Sequence, residues 1–322
     1  MKENIKKTVI AILKQNSLVY QSVYYCKDWL YYFLKKKSVK QFYHMSESEL
    51  MQLDAKLYEK RHNKSLDWNN LKTYTEKMQW AKLFDLDPRK SLCADKYLVR
   101  DYVSQKIGPQ YLIPLIGVWD KLREVDFSKL PESYVIKTNH GSGDTVIVRG
   151  KEDFSLSKKI EIKRKINISL KTDYSTSYCE MHYRNIRPCV LVEQLLSDNS
   201  SEIFDYKFLC FDGEPKFCWV DIDRFTNHTR NVYDLEWKLQ SWNQRTYGNY
   251  KGVLKKPENF DEMISVARKL AQGFSHVRVD LYNIGGKIYF GEMTFTNGSG
   301  FEEIVPESAD LMLGDMWNLG VK

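Results

Sequence analysis

Apolar positions along the chain follow two different spacings, and the change between them predicts where helices give way to strands. In residues 46–108 apolar side chains recur every three or four positions, which predicts helices. Ser46 precedes Glu49 by the spacing of a capping box and therefore predicts a helix start. Residues 91–108 predict a further single helix that ends at Gly108.

Short apolar runs separated by turns replace this spacing in residues 111–148 and predict strands. Residues 150–188 return to charged, helical and loop character. The following part predicts strands again, with a hairpin turn at Asp212-Gly213. It also predicts one clear helix, whose shared face consists of Met263, Val266, Leu270 and Phe274.

The composition is typical of a globular protein with a sizeable core. Of the 322 residues 43% are apolar, and this length predicts two or three subdomains. The six cysteines form no Cys-x-x-Cys pair, and several lie in apolar runs, as reduced and buried thiols do. We therefore expect a reducing, cytoplasmic location.

The net charge of +7 comes from one end of the chain. Residues 1–40 hold nine lysines against Glu3 and Asp28, so the rest of the chain is electrically balanced. Binding to a phosphate backbone needs basic residues spread over the docking surface. We therefore expect no nucleic-acid partner.

Residues 1–40 also carry apolar and aromatic side chains at spacings near three and four, which predict an amphipathic helix or helix pair. Aromatic residues beside lysines suit a peripheral contact with anionic lipid at the inner face of a membrane. The alternative, which aromatic stripes generally favour, is an extension that packs on the body of the protein. The apolar run 9–13 is too short for a membrane span or a signal peptide.

The last predicted hairpin carries two carboxylates in apolar strands, where a core does not accept unpaired charge. A three-residue loop at 284–286 would place Glu292 opposite Arg278 and diagonal to Asp280. Thr294 then joins these three side chains on one face. The other face is predicted to be apolar and to consist of Val277, Val279, Leu281, Tyr289, Met293 and Phe295.

Two carboxylates beside an arginine predict a divalent-metal site. Mg²⁺ takes carboxylate, phosphate and water oxygens, so Asp280 and Glu292 suffice if a nucleoside triphosphate supplies further ligands. The alternative is a cross-strand ion pair between Arg278 and Glu292, with Asp280 solvated.

The stretch VIKTNHGSGDTVIV, residues 135–148, places a lysine in an apolar strand ahead of a glycine loop. Val135 and Lys137 share one side of the predicted strand. Lys137 lies near the end of this strand, just before the glycine loop. Gly141 and Gly143 lack Cβ atoms and allow backbone N–H groups to approach phosphate oxygens. The alternative is a plain hairpin turn.

The charged candidates follow one another in the order Lys96, Lys137, Glu193, Arg278, Asp280 and Glu292. This order resembles the ATP-grasp superfamily. More narrowly, EKMQWAKLF, DKYLVRDYV, VIKTNHGSGD, DYKFLCFDGEPKF and VRVDLYN…KIYFGEMTFTNGSGF resemble the family named for teichuronopeptide biosynthesis, which occurs in bacterial surface-polysaccharide gene sets. The resemblance covers residues 45–305.

The resemblance implies an α+β ATP-grasp fold that holds the nucleotide between two subdomains, behind a helical N-terminal extension. The implied divisions are an extension at 1–45, a helical region at 46–110, a lid subdomain at 111–190 and a metal-binding subdomain at 191–322.

ATP-binding roles also follow from the resemblance. Lys96 and Lys137 would hold the α- and β-phosphates, and the loop of Gly141, Ser142 and Gly143 would close over them as a lid. Adenine would lie against Glu193 and the backbone through Leu195. Asp198 and Glu202 are both candidates for the ribose contact.

The metal roles are implied in the same way. Asp280 and Glu292 would bind Mg²⁺, and Arg278 would face the transferred phosphoryl group. Thr294 stands where ATP-grasp enzymes commonly have asparagine, so we expect it to be a weaker third ligand; Asn297 is the alternative.

The implied activity is an ATP- and Mg²⁺-dependent ligase that joins a carboxylate-bearing sugar of a surface polysaccharide to an amino acid or other amine. The polar segment 221–231 is predicted to contact the acceptor through Arg224, His228 and Arg230, the alternative being a solvated loop. Three rival functions are a glycosyltransferase that uses Asp221-Ile-Asp223 as a DxD element, a kinase acting on a sugar hydroxyl, and a scaffold at the membrane.

Overall fold

The computed structural model describes residues 16–196, 203–222 and 228–319, which form two compact units. The first unit contains the described residues up to His44, with 114–174 and 187–196. The second contains residues 45–113, 175–186 and the described residues from 203 onward. The four divisions predicted from the sequence remain predictions.

The helices in chain order are α1 (Ser17–Phe42), α2 (Glu47–His62), α3 (Tyr74–Phe84), α4 (Pro88–Ala94), α5 (Val99–Lys106), α6 (Leu156–Ser169), α7 (Ser175–Tyr178), α8 (Phe260–Ala271) and α9 (Glu307–Asp315). The strands are β1 (Leu115–Trp119), β2 (Tyr134–Thr138), β3 (Val146–Val148), β4 (Val190–Gln194), β5 (Asp205–Phe211), β6 (Glu214–Ile222), β7 (Thr229–Tyr233), β8 (Asn243–Gln244), β9 (His276–Ile284), β10 (Lys287–Thr294) and β11 (Ile304–Val305).

The first unit is built on an antiparallel sheet with the strand order β1-β4-β2-β3. One face of this sheet forms the core of the unit, where Ile136 and Val192 pack with Ile162 and Ile166 of α6. These four side chains are at most 1% exposed. Because successive strand residues point to opposite faces, Lys137 lies on the face away from this core.

The second unit is built on an antiparallel sheet with the order β10-β9-β5-β6-β7. One face packs on α8, where Met263, Val266 and Leu270 of the predicted apolar face are buried. Phe274, the fourth predicted residue, is also buried but follows the helix, which ends at Ala271. On the other face, Leu209 and Trp219 pack with Tyr74 of α3 and Leu313 of α9. The remaining end of that face carries charged side chains, which are described below.

The β9–β10 hairpin differs from its predicted register. Ile284 pairs with Lys287, so the loop consists of the two residues Gly285 and Gly286 rather than three. A β-bulge at Gly291 then adds one residue to β10. A Cβ at Gly291 would lie 3.0 Å from the backbone oxygen of Asp280, which favours glycine there.

The bulge also changes which side chains of β10 face the core. Before it, Ile288 and Phe290 are buried in the core of the second unit. Tyr289, which we predicted to face the core, is only half-buried. The other five residues of the predicted apolar face, Val277, Val279, Leu281, Met293 and Phe295, are confirmed.

Residues 91–108 form two helices and not the single helix that we predicted. Helix α4 ends at Ala94 and α5 begins at Val99. The Asp95 carboxylate accepts the backbone N–H groups of Tyr97 and Leu98 at 2.8 and 3.1 Å. Because a short acidic side chain that caps local backbone competes with helical hydrogen bonds, the two helices separate here.

Two local predictions are confirmed. Ser46 and Glu49 form a capping box at the start of α2. Asp212 and Gly213 connect β5 to β6 with φ of 48° and 80°, the left-handed pair that a tight hairpin turn requires.

A buried ion pair joins α2 to α3. Lys82 Nζ lies 2.6 Å from Asp54 Oδ1, and neither side chain is exposed to solvent. The same ammonium group lies 4.1 Å from the centre of the Phe301 ring. Since an ion removed from water depends on its counter-charge, each partner needs the other.

We expect Asp54→Ala to lower the free energy of unfolding by about 3–5 kcal/mol, because it leaves the Lys82 ammonium buried without its carboxylate. The measurement is urea denaturation followed by circular dichroism. The double variant Asp54→Leu/Lys82→Met is the control, and its stability should return towards that of the wild type. A double variant as unstable as the single one would contradict this explanation.

We expect Gly291→Val to lower the free energy of unfolding by about 1–3 kcal/mol, because a side chain at the bulge meets the Asp280 carbonyl oxygen. Gly248→Ala is the matched control, since a Cβ there has no neighbour within 4 Å. Both variants are compared in the same denaturation assay. Equal losses in the two variants would show that the bulge does not require glycine.

Candidate active site

The charged end of the second sheet gathers side chains from all five of its strands. Residues that pair across strands share a face, and Lys207 pairs with Asp280 while Asp205 pairs with Asp221. On the edge strand β7, Arg230 is opposite Asp221 of β6. The full set on this face is Asp205, Lys207, Asp221, Arg230, Arg278, Asp280, Glu292 and Thr294.

Asp280 lies at the centre of this cluster and is 2% exposed. Its Oδ1 accepts Arg278 Nε at 2.7 Å, and its Oδ2 accepts Arg278 Nη2 at 2.7 Å. Lys207 Nζ donates to the same Oδ2 at 2.6 Å. Burial opposes the charge on Arg278, yet the attraction of Asp280 keeps the pKa of Arg278 well above its ordinary value.

Arg278 also connects Asp280 to the neighbouring strand. Its Nη2 lies 3.0 Å from Glu292 Oε1 and 3.1 Å from Thr294 Oγ1. The structure therefore brings together the four side chains that we predicted to share a face, although a two-residue loop and a bulge achieve this in place of the predicted register. The alternative interpretation is right about the Arg278 to Glu292 ion pair but wrong about Asp280, which is buried rather than solvated.

The oxygen donors of this group fit a magnesium ion. The Glu292 side chain is 40% exposed, so its carboxylate can reach an ion from solvent. Within the described parts of the chain, no cluster of three or more histidine, cysteine or acidic residues has metal-binding geometry. Two carboxylates and a hydroxyl suit an ion that takes its other ligands from phosphate and water. If Asp280 bound the magnesium ion, Arg278 or Lys207 would have to give up a hydrogen bond to its carboxylate.

Asp221 and Arg230 form a buried pair at the other edge of the cluster. Arg230 donates through Nε to Asp221 Oδ1 at 2.5 Å and through Nη2 to Oδ2 at 2.8 Å. Its guanidinium lies 4.7 Å from the Trp219 ring and 4.2 Å from the Tyr247 ring. Burial opposes the charge on Asp221, but the hydrogen bonds and charge of Arg230 hold the pKa of Asp221 well below its usual range.

This arrangement changes the interpretation of segment 221–231. Arg230 is 4% exposed and belongs to β7, so it does not lie in a solvated loop, the alternative that we left open. His228 is partly exposed, and its Nε2 lies 3.3 Å from Asp221 Oδ1. Arg224 lies outside the described residues, as do both ribose candidates, Asp198 and Glu202.

In the first unit, Lys137 and Glu193 form an ion pair that is largely buried. Lys137 Nζ lies 2.6 Å from Glu193 Oε2, and the two side chains are 14% and 6% exposed. Val135 of β2 pairs with Glu193 of β4, so these two side chains share a face of the sheet. Because Lys137 contacts Glu193, it lies on the same side as Val135, as predicted. Leu195, directly after β4, is half-buried. The lysine that looked misplaced in an apolar strand is therefore balanced by a carboxylate on the adjacent strand.

The glycine loop after β2 has a fixed base and an exposed tip. Asp144 Oδ2 accepts the Thr138 backbone N–H at 2.9 Å and also its hydroxyl group. Gly141 is buried, and a Cβ there would lie 2.5 Å from three side-chain oxygens. Ser142 and Gly143 are exposed, and Gly143 has a φ of 76°. Only the tip is thus placed to approach a ligand from solvent.

We predicted that Lys96 lies on a helix, but the structure places it in the turn between α4 and α5. Its side chain is half-buried. The turn follows from the Asp95 cap, because α4 ends at Ala94, two residues before the lysine.

Sequence reasoning missed Lys207 and Asp205 as candidates. Both are buried, and Lys207 Nζ lies 2.6 Å from Asp205 Oδ2 as well as from Asp280. The signal was present in the strand DYKFLCF, where two charges occur two positions apart before an apolar run. This is the pattern that identified Arg278 and Asp280.

The chain is similar to solved structures of two ligases, at low sequence identity. No curated protein matches the chain. A D-alanine–D-alanine ligase from Bacillus anthracis, complexed with ATP, is 18% identical with a TM-score of 0.39, over 69% of this chain and 61% of that one. An L-amino acid ligase from Bacillus licheniformis is 14% identical with a TM-score of 0.42, over 70% and 49% of the two chains. The chain thus spans about half to three fifths of the length of these proteins.

A family comparison covers most of the chain. The TupA-like ATP-grasp family matches residues 76–318. This stretch contains both strands of the β9–β10 hairpin, the glycine loop and the pair of Lys137 and Glu193. The predicted family and its α+β fold class are therefore confirmed: the chain belongs to the TupA-like ATP-grasp family.

Proposed function

We propose that this protein is an ATP- and Mg²⁺-dependent ligase that joins a carboxylate to an amine through an acyl phosphate. The observation that carries the proposal is the convergence of Arg278, Asp280, Glu292 and Thr294 on one sheet face, in a chain of the ATP-grasp family. Phosphoryl transfer requires this combination of positive charge and oxygen ligands.

Roles in ATP binding are assigned by family resemblance to the positions that the sequence singled out. Lys96 and Lys137 bind phosphate oxygens, and the exposed Ser142-Gly143 tip closes over them. Glu193 and the backbone through Leu195 contact the adenine. The 2.6 Å contact between Lys137 and Glu193 supports this assignment, because it holds the lysine side chain in place on a largely buried strand face.

The proposed reaction has two steps. A carboxylate oxygen of the acceptor attacks the γ-phosphorus, forming an O–P bond as the bond to the β-phosphate oxygen breaks and ADP leaves. The amine nitrogen then attacks the acyl carbon, the C–O bond to phosphate breaks, and the nitrogen loses a proton. Phosphorylation is needed because a carboxylate oxygen is a poor leaving group.

The residues of the cluster act by placing charge next to the transferred group. Arg278 and Lys207 neutralise negative charge on the phosphoryl oxygens, and Asp280 fixes both cations. Mg²⁺, held by Asp280, Glu292 and Thr294, would neutralise further phosphate charge when bound. Positioning of this kind needs no covalent enzyme intermediate, so no cysteine or serine nucleophile is required.

For the substrates, we propose a uronic acid of a bacterial surface polysaccharide as the carboxylate and an amino acid or related amine as the nucleophile. Support comes from the family, which is named for teichuronopeptide biosynthesis. Within segment 221–231, His228 is partly exposed beside the buried pair of Asp221 and Arg230, which supports a role for this edge in acceptor binding.

The glycosyltransferase alternative explains less of the structure. It gives no role to the pair of Lys137 and Glu193 or to the cluster of Arg278, Asp280 and Glu292 on the β9–β10 hairpin. Of its DxD element, Asp221 is paired with Arg230, and Asp223 lies outside the described residues.

The direct test is to incubate the protein with ATP, Mg²⁺, a panel of uronic-acid sugars and a panel of amino acids. Phosphate release and product mass are followed together. An amide formed with ADP and phosphate supports the ligase. A phosphorylated sugar would replace it by a kinase, and UDP released from a sugar nucleotide would replace it by a glycosyltransferase.

We expect Glu292→Gln to lower turnover by about 100-fold or more, because it removes a charged oxygen ligand and the partner of Arg278 without changing side-chain volume. The measurement is steady-state phosphate release, with the unfolding midpoint as a check on folding. Glu303→Gln is the matched control, since Glu303 also pairs with an arginine, Arg245, at 2.6 Å and is similarly exposed, but lies outside the strands that form the cluster. Full activity in Glu292→Gln would refute the metal assignment.

A further inference from the structure

Helix α1 presents two different sides, and one of them packs on its own unit. Arg164 of α6 donates to Asp28 Oδ2 at 2.6 Å and to Gln21 Oε1 at 3.1 Å. Lys171 Nζ lies 4.4 Å from the centre of the Trp29 ring. For residues 17–42, the prediction of a helical extension that packs on the body of the protein is therefore correct.

The opposite side of α1 carries an apolar row. Val19, Val23, Leu30 and Leu34 follow one another at spacings of four, seven and four, which places them on one face of a helix. They are 43%, 45%, 61% and 70% exposed, and exposure increases toward the C-terminal half. Phe33, next to this row, is 61% exposed. The most exposed apolar side chains thus point away from α6.

The charged residues of α1 are almost all basic. The helix contains five lysines, at positions 27, 35, 36, 37 and 40, and its single acidic residue, Asp28, is neutralised by Arg164. Lys27 and Lys35 also lie over aromatic rings of the helix, at 4.7 Å from Tyr24 and 4.8 Å from Tyr31. A solvent-facing helix side therefore combines apolar, aromatic and positively charged groups.

We propose that this side of α1 binds the surface of an anionic lipid bilayer, with the helix lying in the plane of the interface. The apolar row would enter the boundary between headgroups and acyl chains, and the lysines would contact acidic headgroups. Within the described part of the chain, no helix has the length and apolarity needed to cross a membrane.

Charge favours a lipid surface over a second copy of the helix. The five lysines of α1 lie between positions 27 and 40, so parallel pairing of two helices through their apolar rows would bring two lysine-rich halves together, which like-charge repulsion opposes. An anionic bilayer supplies the opposite charge to this half of the helix. The proposal does not rest on the ligase activity, because it depends only on α1 and its contacts with α6.

The test is co-sedimentation of the full-length protein with vesicles. Phosphatidylcholine vesicles are compared with vesicles containing roughly 30% phosphatidylglycerol, at low and high salt. We expect binding only to the anionic vesicles, and we expect it to weaken at high salt. Equal binding to both kinds of vesicle, or none to either, would overturn the proposal.

Two sets of substitutions identify the surface. We expect Leu30→Gln/Leu34→Gln to lower binding by about 10-fold or more, because both side chains would lose their apolar contact with the acyl region. Lys35→Gln/Lys36→Gln/Lys37→Gln should lower it similarly and reduce its salt dependence. Val253→Gln is the matched control, because Val253 is 95% exposed and belongs to the other unit.

All of these positions are exposed or at the surface, so the unfolding midpoint should stay unchanged and verifies folding. Size-exclusion chromatography of the same variants tests the second-copy alternative. A dimer that dissociates in Leu30→Gln/Leu34→Gln, without vesicle binding by the wild type, would replace the lipid proposal by self-association.

Discussion

The contact between Arg278 and Asp280 is the constraint on which the second unit depends. A carboxylate that is 2% exposed is stable only if it is paired, and Arg278 and Lys207 supply that pairing from β9 and β5. Both partners must then lie on the same sheet face as Asp280, which fixes the strand register. Apolar side chains of α3 and α9 pack on the other end of that face.

Much of this arrangement could be predicted because strand residues alternate between faces with a period of two. Arg278 and Asp280 stand two positions apart, so they had to share a face whatever the neighbouring strand did. The register of that neighbour could not be predicted in the same way. It depends on a bulge at Gly291, and a lone glycine in a strand does not reveal whether the ladder continues through it. For this reason Tyr289 was assigned to the wrong face.

Other errors came from interactions that join residues distant in sequence or from competition within a turn. The pairing of Arg230 with Asp221 requires β6 and β7 to be adjacent, which segment 221–231 does not show by itself. The break between α4 and α5 arises because Asp95 caps local backbone groups within an otherwise helical pattern. Spacing rules describe faces of regular elements well, but they do not describe where two regular elements meet or where one stops.

The crowding around Gly141 has a consequence for how this protein can vary among its relatives. Three oxygens, from Thr138, Asp144 and Ser169, occupy the space that any side chain at this position would need. Selection should therefore keep glycine here for packing alone, independently of substrate. The exposed Ser142 carries no such restriction, so sequence variation at that position would reflect differences in ligand and not in folding.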